Sequence, residues 1–185
     1  MIAVKSEPVI MIRRDLNNLP EFALPEGYGY RLFRIGDESV WAGLETAAGP
    51  FESHEAAMRR FAEEFGSRIR EMQENCFFLL CGERPVGTAT AWYNEDFLGQ
   101  SCGRLHWVAI HPDFQGRGLA KPMISLALKS LRKRYTRCYL TTDTHRLRAI
   151  RIYLDFGFEP HTATDLQREA WSRVAVELGH PGFGT

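Results

Sequence analysis

The sequence predicts an α/β fold, built on a mixed and mostly antiparallel sheet. Three observations support this prediction. Strand-like and helical runs alternate along the chain. Three β-rich runs follow one another between residues 76 and 110, as in an antiparallel meander. The last of them is followed by an amphipathic helix and a further strand, as in a β-α-β crossover. The 185 residues, 44% hydrophobic and 25% charged, suit one domain with its own core.

The N-terminal part of the chain predicts two strands and two helices. A short apolar strand is followed by the Pro- and Asn-containing stretch Asp15–Gly29. A strand over Tyr30–Arg34 precedes a helix capped by Gly36 or Asp37, with acidic residues in its first turn. The next helix covers Ser53–Met72, where apolar residues recur at every fourth position.

The middle of the chain predicts a hairpin and a further strand. Two β-rich runs, residues 76–83 and 85–94, meet at Glu83-Arg84-Pro85, which is hairpin spacing. The polar stretch Asn94–Gly103 is predicted to be a loop leading to the strand that begins at Arg104.

A strongly amphipathic helix follows this strand, with apolar residues four apart at Leu119, Met123, Ala127 and Leu131. Pro122 is tolerated only in a first helical turn, where N–H groups have no internal partner. The helix is therefore predicted to begin at Gly118 or Leu119.

The C-terminal part predicts strand, helix and strand. These elements are Arg137–Thr144, Leu147–Gly157 with Gly157 as its stop, and Phe158–Pro160. The run at residues 166–179 fits a helix or a strand, and the pattern does not separate the two.

Composition argues against several functional classes. Twenty-three Lys and Arg balance twenty-three Asp and Glu, which gives no electrostatic case for nucleic acid or a membrane surface. No apolar run approaches the ~18 residues of a membrane span, and the first residues lack a secretory signal. The four scattered cysteines have no C-x-x-C spacing, so we expect free thiols, no metal site and a cytoplasmic location.

The segment Gln115-Gly116-Arg117-Gly118, between a strand and a helix, predicts an anion site. Backbone N–H groups and the helix dipole favour an anion there, and glycine lets a phosphate approach closely. The alternative is a tight turn in which the glycines only satisfy positive φ. The G-x-x-x-x-G-K-[ST] and G-x-G-x-x-G patterns are absent, which argues against nucleoside triphosphatases and dinucleotide-binding proteins.

Two motifs resemble the GCN5-related N-acetyltransferases (GNAT), which move an acetyl group from acetyl-CoA to an amine. Val108-Ala109-Ile110-His111-Pro112 followed by Gln115-Gly116-Arg117-Gly118-Leu119-Ala120 matches the family's V-x-[VI]-x-P and [QR]-x-x-G-x-[GA]. The segment AIRIYLDFGF (residues 149–158) matches A-I-x-[LI]-Y-x-x-x-G-F. The resemblance covers roughly residues 30–160.

The resemblance implies helices on both sheet faces and two splayed strands that form a slot for acetyl-CoA. The strand Val108, Ala109, Ile110 would pair with the pantetheine arm, and the turn Gln115–Ala120 would hold the pyrophosphate. Tyr153 matches the tyrosine that protonates the departing thiolate, with a core tyrosine as the alternative. We expect residues 1–29 to be a lead-in and residues 30–185 to form the GNAT-like part of a single domain.

The sequence departs from the family pattern in two places. Arg146 stands where an asparagine is frequent, among the residues expected to contact the cofactor. The positions where many members carry a glutamate base hold Arg104 and Thr141. Strand alternation puts His106 on the face of Val108, which makes His106 the first candidate for the base. A bulge would reverse that parity and favour His145, and a water relay is a third alternative.

We therefore expect direct transfer of an acetyl group to an amine in a ternary complex. The acceptor is a small molecule or a peptide of unspecified identity, and a homodimer is left open. The alternatives are a non-catalytic acyl-CoA sensor and transfer of a longer acyl group.

Overall fold

The computed structural model describes residues 6–181, which form a seven-stranded sheet flanked by helices. The strands are β1 (Pro8–Arg13), β2 (Tyr28–Leu32), β3 (Cys76–Cys81), β4 (Arg84–Phe97), β5 (Gln100–Ile110), β6 (Cys138–Asp143) and β7 (Glu159–Pro160). The helices are α1 (Glu38–Ala48), α2 (His54–Phe65), α3 (Ile69–Asn75), α4 (Ala120–Arg132), α5 (Leu147–Asp155) and α6 (Asp165–Leu178).

The sheet has the order β2-β3-β4-β5-β6-β1-β7. Neighbouring strands are antiparallel except β5 and β6, which are parallel and connected through α4. Consecutive residues of one strand belong to different cores: Ala91 of β4 packs with the core that includes α4 and α6, and Trp92 with the core that includes α1 and α2. Helices therefore cover both faces, and the predicted fold class is confirmed.

The N-terminal strand β1 is an integral part of this sheet. It lies between β6 and β7 and pairs with β6 from Pro8↔Asp143 to Arg13↔Cys138. Val9 and Met11 are completely or nearly buried. The strand thus contributes directly to the core beside the crossover.

Strands β5 and β6 form a slot because they pair only briefly. Their registered partners are Gly103↔Cys138 and Arg104↔Tyr139. Beyond Arg104 both strands continue, to Ile110 and Asp143, without pairing to each other. The two strands diverge there, and their ends form the walls of an opening at the edge of the crossover.

A β-bulge in β5 lies where the slot opens. Thr88 pairs with Ala109 and Thr90 with His106, so β5 carries one residue more than β4 across this interval. Trp107 has φ 47, which is rare outside glycine. Trp107 packs with the α1 and α2 core, whereas Val108 packs with the α4 core. His106 contacts Glu64 and Phe65 of α2, on the side of Trp107. The expectation that His106 shares a face with Val108 is therefore wrong, and the strand has the bulge that was named as the alternative.

Two local predictions need correction, and one open choice is decided. Much of the predicted loop at residues 94–103 is strand, because β4 runs to Phe97 and β5 begins at Gln100 around a tight turn. The predicted helix over residues 53–72 is interrupted by a 3₁₀ turn at Gly66–Arg68. The undecided C-terminal run is helix α6, which begins with a capping box between Thr164 and Gln167.

The predicted start of α4 is confirmed. Its N-cap is Leu119, and Pro122 is the third helical residue. A proline at this position removes no internal helical hydrogen bond.

Candidate active site

A cavity of about 420 Å³ lies between the end of β5, the glycine turn, and helices α4 and α5. Eight of its lining residues lie between residues 108 and 120, at the end of β5, in the turn and at the first residue of α4: Val108, Ile110, Phe114, Gln115, Gly116, Gly118, Leu119 and Ala120. Most of the residues that the resemblance assigns to acetyl-CoA binding therefore lie around one space. We call it the turn cavity.

The glycine turn leaves its backbone available to a ligand. Gly116 and Gly118 both have φ 75, and a Cβ on either would meet no atom within 4 Å. Within residues 6–181, the N–H groups of Gly116 to Leu119 donate to no backbone carbonyl. The Gln115 side chain donates to the Ile110 carbonyl at 2.9 Å, which ties the turn to the strand. This arrangement suits a phosphate at the start of α4.

Two basic residues line the turn cavity without having been predicted. Lys121 and Arg148 both contribute to its wall, and Lys121 also pairs with Asp155 at 2.9 Å. By contrast, Arg117 donates to the Asp113 carbonyl at 2.9 Å and does not line the cavity. The Ala109 side chain is buried away from it, 3% exposed.

A second cavity of about 440 Å³ opens on the other side of the slot. Its walls come mainly from β5, β6 and α1, with contributions from α2 and α5, and we call it the slot cavity. Its charged and imidazole side chains are Glu45, Arg60, Arg104, His106, Asp143, His145 and Arg146. Val108 and Tyr153 line both cavities. A ligand in the turn cavity and a ligand in the slot cavity would therefore meet at these two residues.

Tyr153 is a buried residue of α5, 9% exposed. Burial raises the pKa of Tyr153 to about 12, although the Arg146 charge acts in the opposite direction. Its phenol stays protonated at neutral pH. A protonated group at the meeting point of two cavities is able to donate a proton to a leaving group.

His106 is held in a charged cluster around Glu64 of α2. Its Nε2 is hydrogen-bonded to one carboxylate oxygen of Glu64, and Trp107 donates to the other oxygen at 3.1 Å. Arg60 and Arg104 each approach the same carboxylate to 3.5 Å. Burial lowers the pKa of His106 to about 4, with Glu64 acting in the opposite direction. Burial alone would raise the pKa of Glu64, but its hydrogen bonds with His106 and Trp107 and the Arg104 charge keep it low.

The other predicted residues lie on the β6 side of the slot cavity. The Nδ1 of His145 lies 3.0 Å from the Ser6 hydroxyl, which also donates to Asp143 at 3.3 Å. Arg146 lies at the start of α5 and lines the slot cavity rather than the turn cavity, where a cofactor contact was expected.

Glu45 of α1 was not predicted and is the most deeply buried acid of the slot cavity, 2% exposed. Its Oε1 atom has no hydrogen-bond partner within the described residues 6–181. A sequence signal was available: Glu45 follows buried Trp41 by four residues, which places an acid on the apolar face of α1.

No cluster of three or more His, Cys, Asp or Glu side chains in the part of the chain that the structure describes is arranged to hold a metal ion. None of the helices described is long and apolar enough to cross a membrane.

The chain matches the model of the acetyltransferase (GNAT) family over residues 40–158. The chain belongs to the GNAT family. The match includes α1, the slot strands and the segment around Tyr153, so both cavities of this GNAT chain lie largely within the region that defines the family.

Curated relatives and solved structures agree with this assignment. A mycothiol acetyltransferase of Kineococcus radiotolerans is 30% identical over 169 residues, covering 88% of this chain and 54% of the relative. The chain thus spans about half the length of the curated relatives it matches. A GCN5-related N-acetyltransferase from Sphaerobacter thermophilus has a TM-score of 0.65 at 22% identity, covering 85% of this chain and 49% of that chain.

An aminoglycoside N-acetyltransferase in complex with CoA has a TM-score of 0.59 at 18% identity, covering 77% of this chain and 95% of that chain. Likeness at such identities establishes the fold alone.

Proposed function

We propose that this GNAT chain transfers an acetyl group from acetyl-CoA to the amine of a small molecule. The observation that carries the proposal is that the turn cavity and the slot cavity share Val108 and Tyr153. Acetyl-CoA in the first and an amine in the second would bring the thioester and the nucleophile together beside a protonated phenol. Direct attack in a ternary complex then needs no covalent enzyme intermediate.

Acetyl-CoA would bind with its pyrophosphate at the Gln115–Ala120 turn. The unpaired N–H groups, the dipole of α4 and the charges of Lys121 and Arg148 all favour an anion there. The pantetheine arm would follow the unpaired edge of β5 past Val108, where strand-like hydrogen bonds to the backbone are available. A backbone N–H on this edge would stabilise the oxyanion of the tetrahedral intermediate.

Tyr153 would donate its proton to the CoA thiolate as the C–S bond breaks. A free thiol has a reference pKa of about 8.5, so donation from a phenol of pKa about 12 is uphill before reaction. The contribution therefore lies in a hydrogen bond that strengthens as negative charge develops on sulfur.

The acceptor class follows from the polar walls of the slot cavity. Arg104, Thr141, Asp143 and His145 offer hydrogen bonds to a hydroxyl-rich or charged small molecule. Several curated relatives carry the name mycothiol acetyltransferase, so deacetylated mycothiol is the first acceptor to test.

The test measures CoA release from acetyl-CoA with a panel of small-molecule amines that includes deacetylated mycothiol, and acetyl-CoA affinity by calorimetry. We expect tight acetyl-CoA binding and amine-dependent release. Binding without release from any amine would instead support the sensor alternative. Faster release from a longer acyl-CoA would overturn the assignment of acetyl as the transferred group.

A further inference from the structure

Glu45 occupies a position where an acidic residue is costly. Helix α1 turns Trp41, Ala42 and Leu44 into the core, and Glu45 lies among them at 2% exposure. A buried carboxyl without a full set of hydrogen bonds costs several kcal/mol relative to an apolar side chain. Its Oε1 atom has no hydrogen-bond partner within residues 6–181.

The carboxyl of Glu45 lines the slot cavity together with Tyr153. Charged and titratable groups face it from several elements. Arg146, at the start of α5, and Tyr153 interact with it electrostatically, as does the Cys76 thiol at the start of β3. His106 of β5 and His145 after β6 line the same space.

We propose that Glu45 is the general base that takes the proton from the acceptor ammonium. The inference rests on the proposed function, because it assigns a role within the same transfer reaction. The deeply buried carboxyl of Glu45 lines the slot cavity with Tyr153, and one of its oxygens has no hydrogen-bond partner within residues 6–181, so it is placed to receive a proton from an amine bound there.

The transfer step then balances in protons and electrons. The ammonium R–NH₃⁺ gives one proton to the Glu45 carboxylate, and the nitrogen lone pair forms the C–N bond to the thioester carbon. The C–S bond breaks, and its electron pair stays on sulfur. Tyr153 protonates that thiolate and regains a proton that the nitrogen loses as the amide forms. Glu45 passes its own proton to solvent, so the products are the amide, CoASH and one H⁺.

The electrostatics fit this role better at Glu45 than at the histidines. Burial raises the pKa of Glu45 to about 8, with the Arg146 charge acting in the opposite direction. A base whose pKa lies near the working pH is the most effective proton acceptor. Burial instead lowers the pKa of His106 to about 4, and the Nε2 of His106 is committed to Glu64. The Nδ1 of His145 lies 3.0 Å from Ser6.

The test compares kcat between about pH 6 and pH 10 for wild type, Glu45→Gln, Glu45→Asp and Glu45→Ala, using the fastest amine of the panel. Glu38→Gln is the matched control, because it removes a carboxylate from the first turn of the same helix outside both cavities. Acetyl-CoA affinity is measured for every variant. Glu45→Ala is also assayed with added formate, a small carboxylate able to enter the vacated space.

We expect Glu45→Gln to bind acetyl-CoA as wild type does, and its kcat to fall ~10²–10⁴-fold. The acidic limb that levels off as the carboxyl ionises should be lost, and log kcat should instead rise across the whole pH range as the amine itself loses its proton. Glu45→Asp should keep that limb at a reduced rate, and formate should restore turnover to Glu45→Ala but not to Glu45→Gln.

Three results would overturn the assignment, and they are distinguishable. If Glu45→Gln keeps kcat within about threefold of wild type with the same acidic limb, another group is the base. The absence of formate rescue together with a pH profile of unchanged shape would assign Glu45 a structural role instead. If no amine of the panel makes wild type release CoA, the proposed function fails first, and the base assignment falls with it.

Discussion

His106 and Glu64 are joined by a hydrogen bond that connects the bulged part of β5 to helix α2. The side chain of Glu64 is 17% exposed. It also forms ion pairs with Arg60 and Arg104 and accepts a hydrogen bond from the Trp107 N–H. Its negative charge is thus already balanced by two guanidinium groups. An imidazolium at His106 would gain little from Glu64 and would lose its hydration through burial.

His106 should therefore titrate far below an ordinary histidine. Burial lowers the pKa of His106 from 6.5 to about 4, so an NMR titration of its ring protons should have its midpoint well below pH 6. Between pH 6.5 and pH 4 the unfolded chain binds one more proton than the folded chain at this site. Folding stability due to His106 should fall as pH decreases through that window, by roughly 3 kcal/mol at most.

Glu64→Gln is the matched variant for this titration. Glu64 acts to raise the pKa of His106, so its removal should move the midpoint further down. A midpoint at or above pH 6.5 in wild type would contradict this account and return His106 to first place as the candidate base.

Tyr153→Phe should separate chemistry from binding. The phenol contributes only as charge develops on sulfur, so kcat should fall at least about tenfold while acetyl-CoA affinity changes little. The pKa of Tyr153 is raised to about 12, so wild type should show no basic limb due to this residue below about pH 11. Steady-state rates at saturating substrates, together with calorimetry, check both statements. Equal turnover of the two forms would reject the role of Tyr153 as general acid.

Gly118→Val should abolish acetyl-CoA binding in a folded protein. A Cβ on Gly118 meets no protein atom within 4 Å, so a branched side chain would occupy the space predicted for the phosphates. The positive φ of 75 adds strain of roughly 1–2 kcal/mol, which a domain of this size tolerates.

Gly99→Val is the matched control for this backbone strain. Gly99 has φ 79, a Cβ there also meets nothing within 4 Å, and the residue lies in the β4–β5 turn outside both cavities. Calorimetry should detect acetyl-CoA binding to Gly99→Val and not to Gly118→Val. Equal acetyl-CoA affinity of both folded variants would mean that the phosphates do not bind at the Gln115–Ala120 turn.

The sequence predicted the crossover and its turn because local chemistry determines both. Pro122 is compatible only with a first helical turn, and two glycines allow positive φ at a strand-to-helix junction. The bulge at Trp107 could be raised only as an alternative, because no glycine marks it in the sequence. Its effect was large, since one extra residue places His106 against α2, on the opposite face from Val108.

The long-range arrangement of the slot cavity could not be predicted from periodicity. Glu45 and Glu64 belong to α1 and α2, far in sequence from β5, and only packing of these helices over the sheet brings them to the slot. The position of β1 between β6 and β7 likewise depends on pairing between the two ends of the chain. Non-local contacts of this kind leave no periodic signal in either segment.

Glu45→Gln should stabilise the folded protein increasingly as pH rises. The usual pKa of 4.5 for this carboxyl is raised to about 8 by burial, so the folded chain holds one more proton than the unfolded chain between these values. Wild-type stability due to Glu45 therefore falls through that window by about 1.4 kcal/mol per pH unit, roughly 5 kcal/mol at most.

Glutamine carries no charge at any pH, and the contribution of His106 is common to both proteins. The difference in urea unfolding free energy, variant minus wild type, should grow from pH 5 to pH 8, while Glu38→Gln should show no such trend. A difference that is constant with pH would mean that Glu45 is ionised in the folded protein, with a partner that compensates its burial.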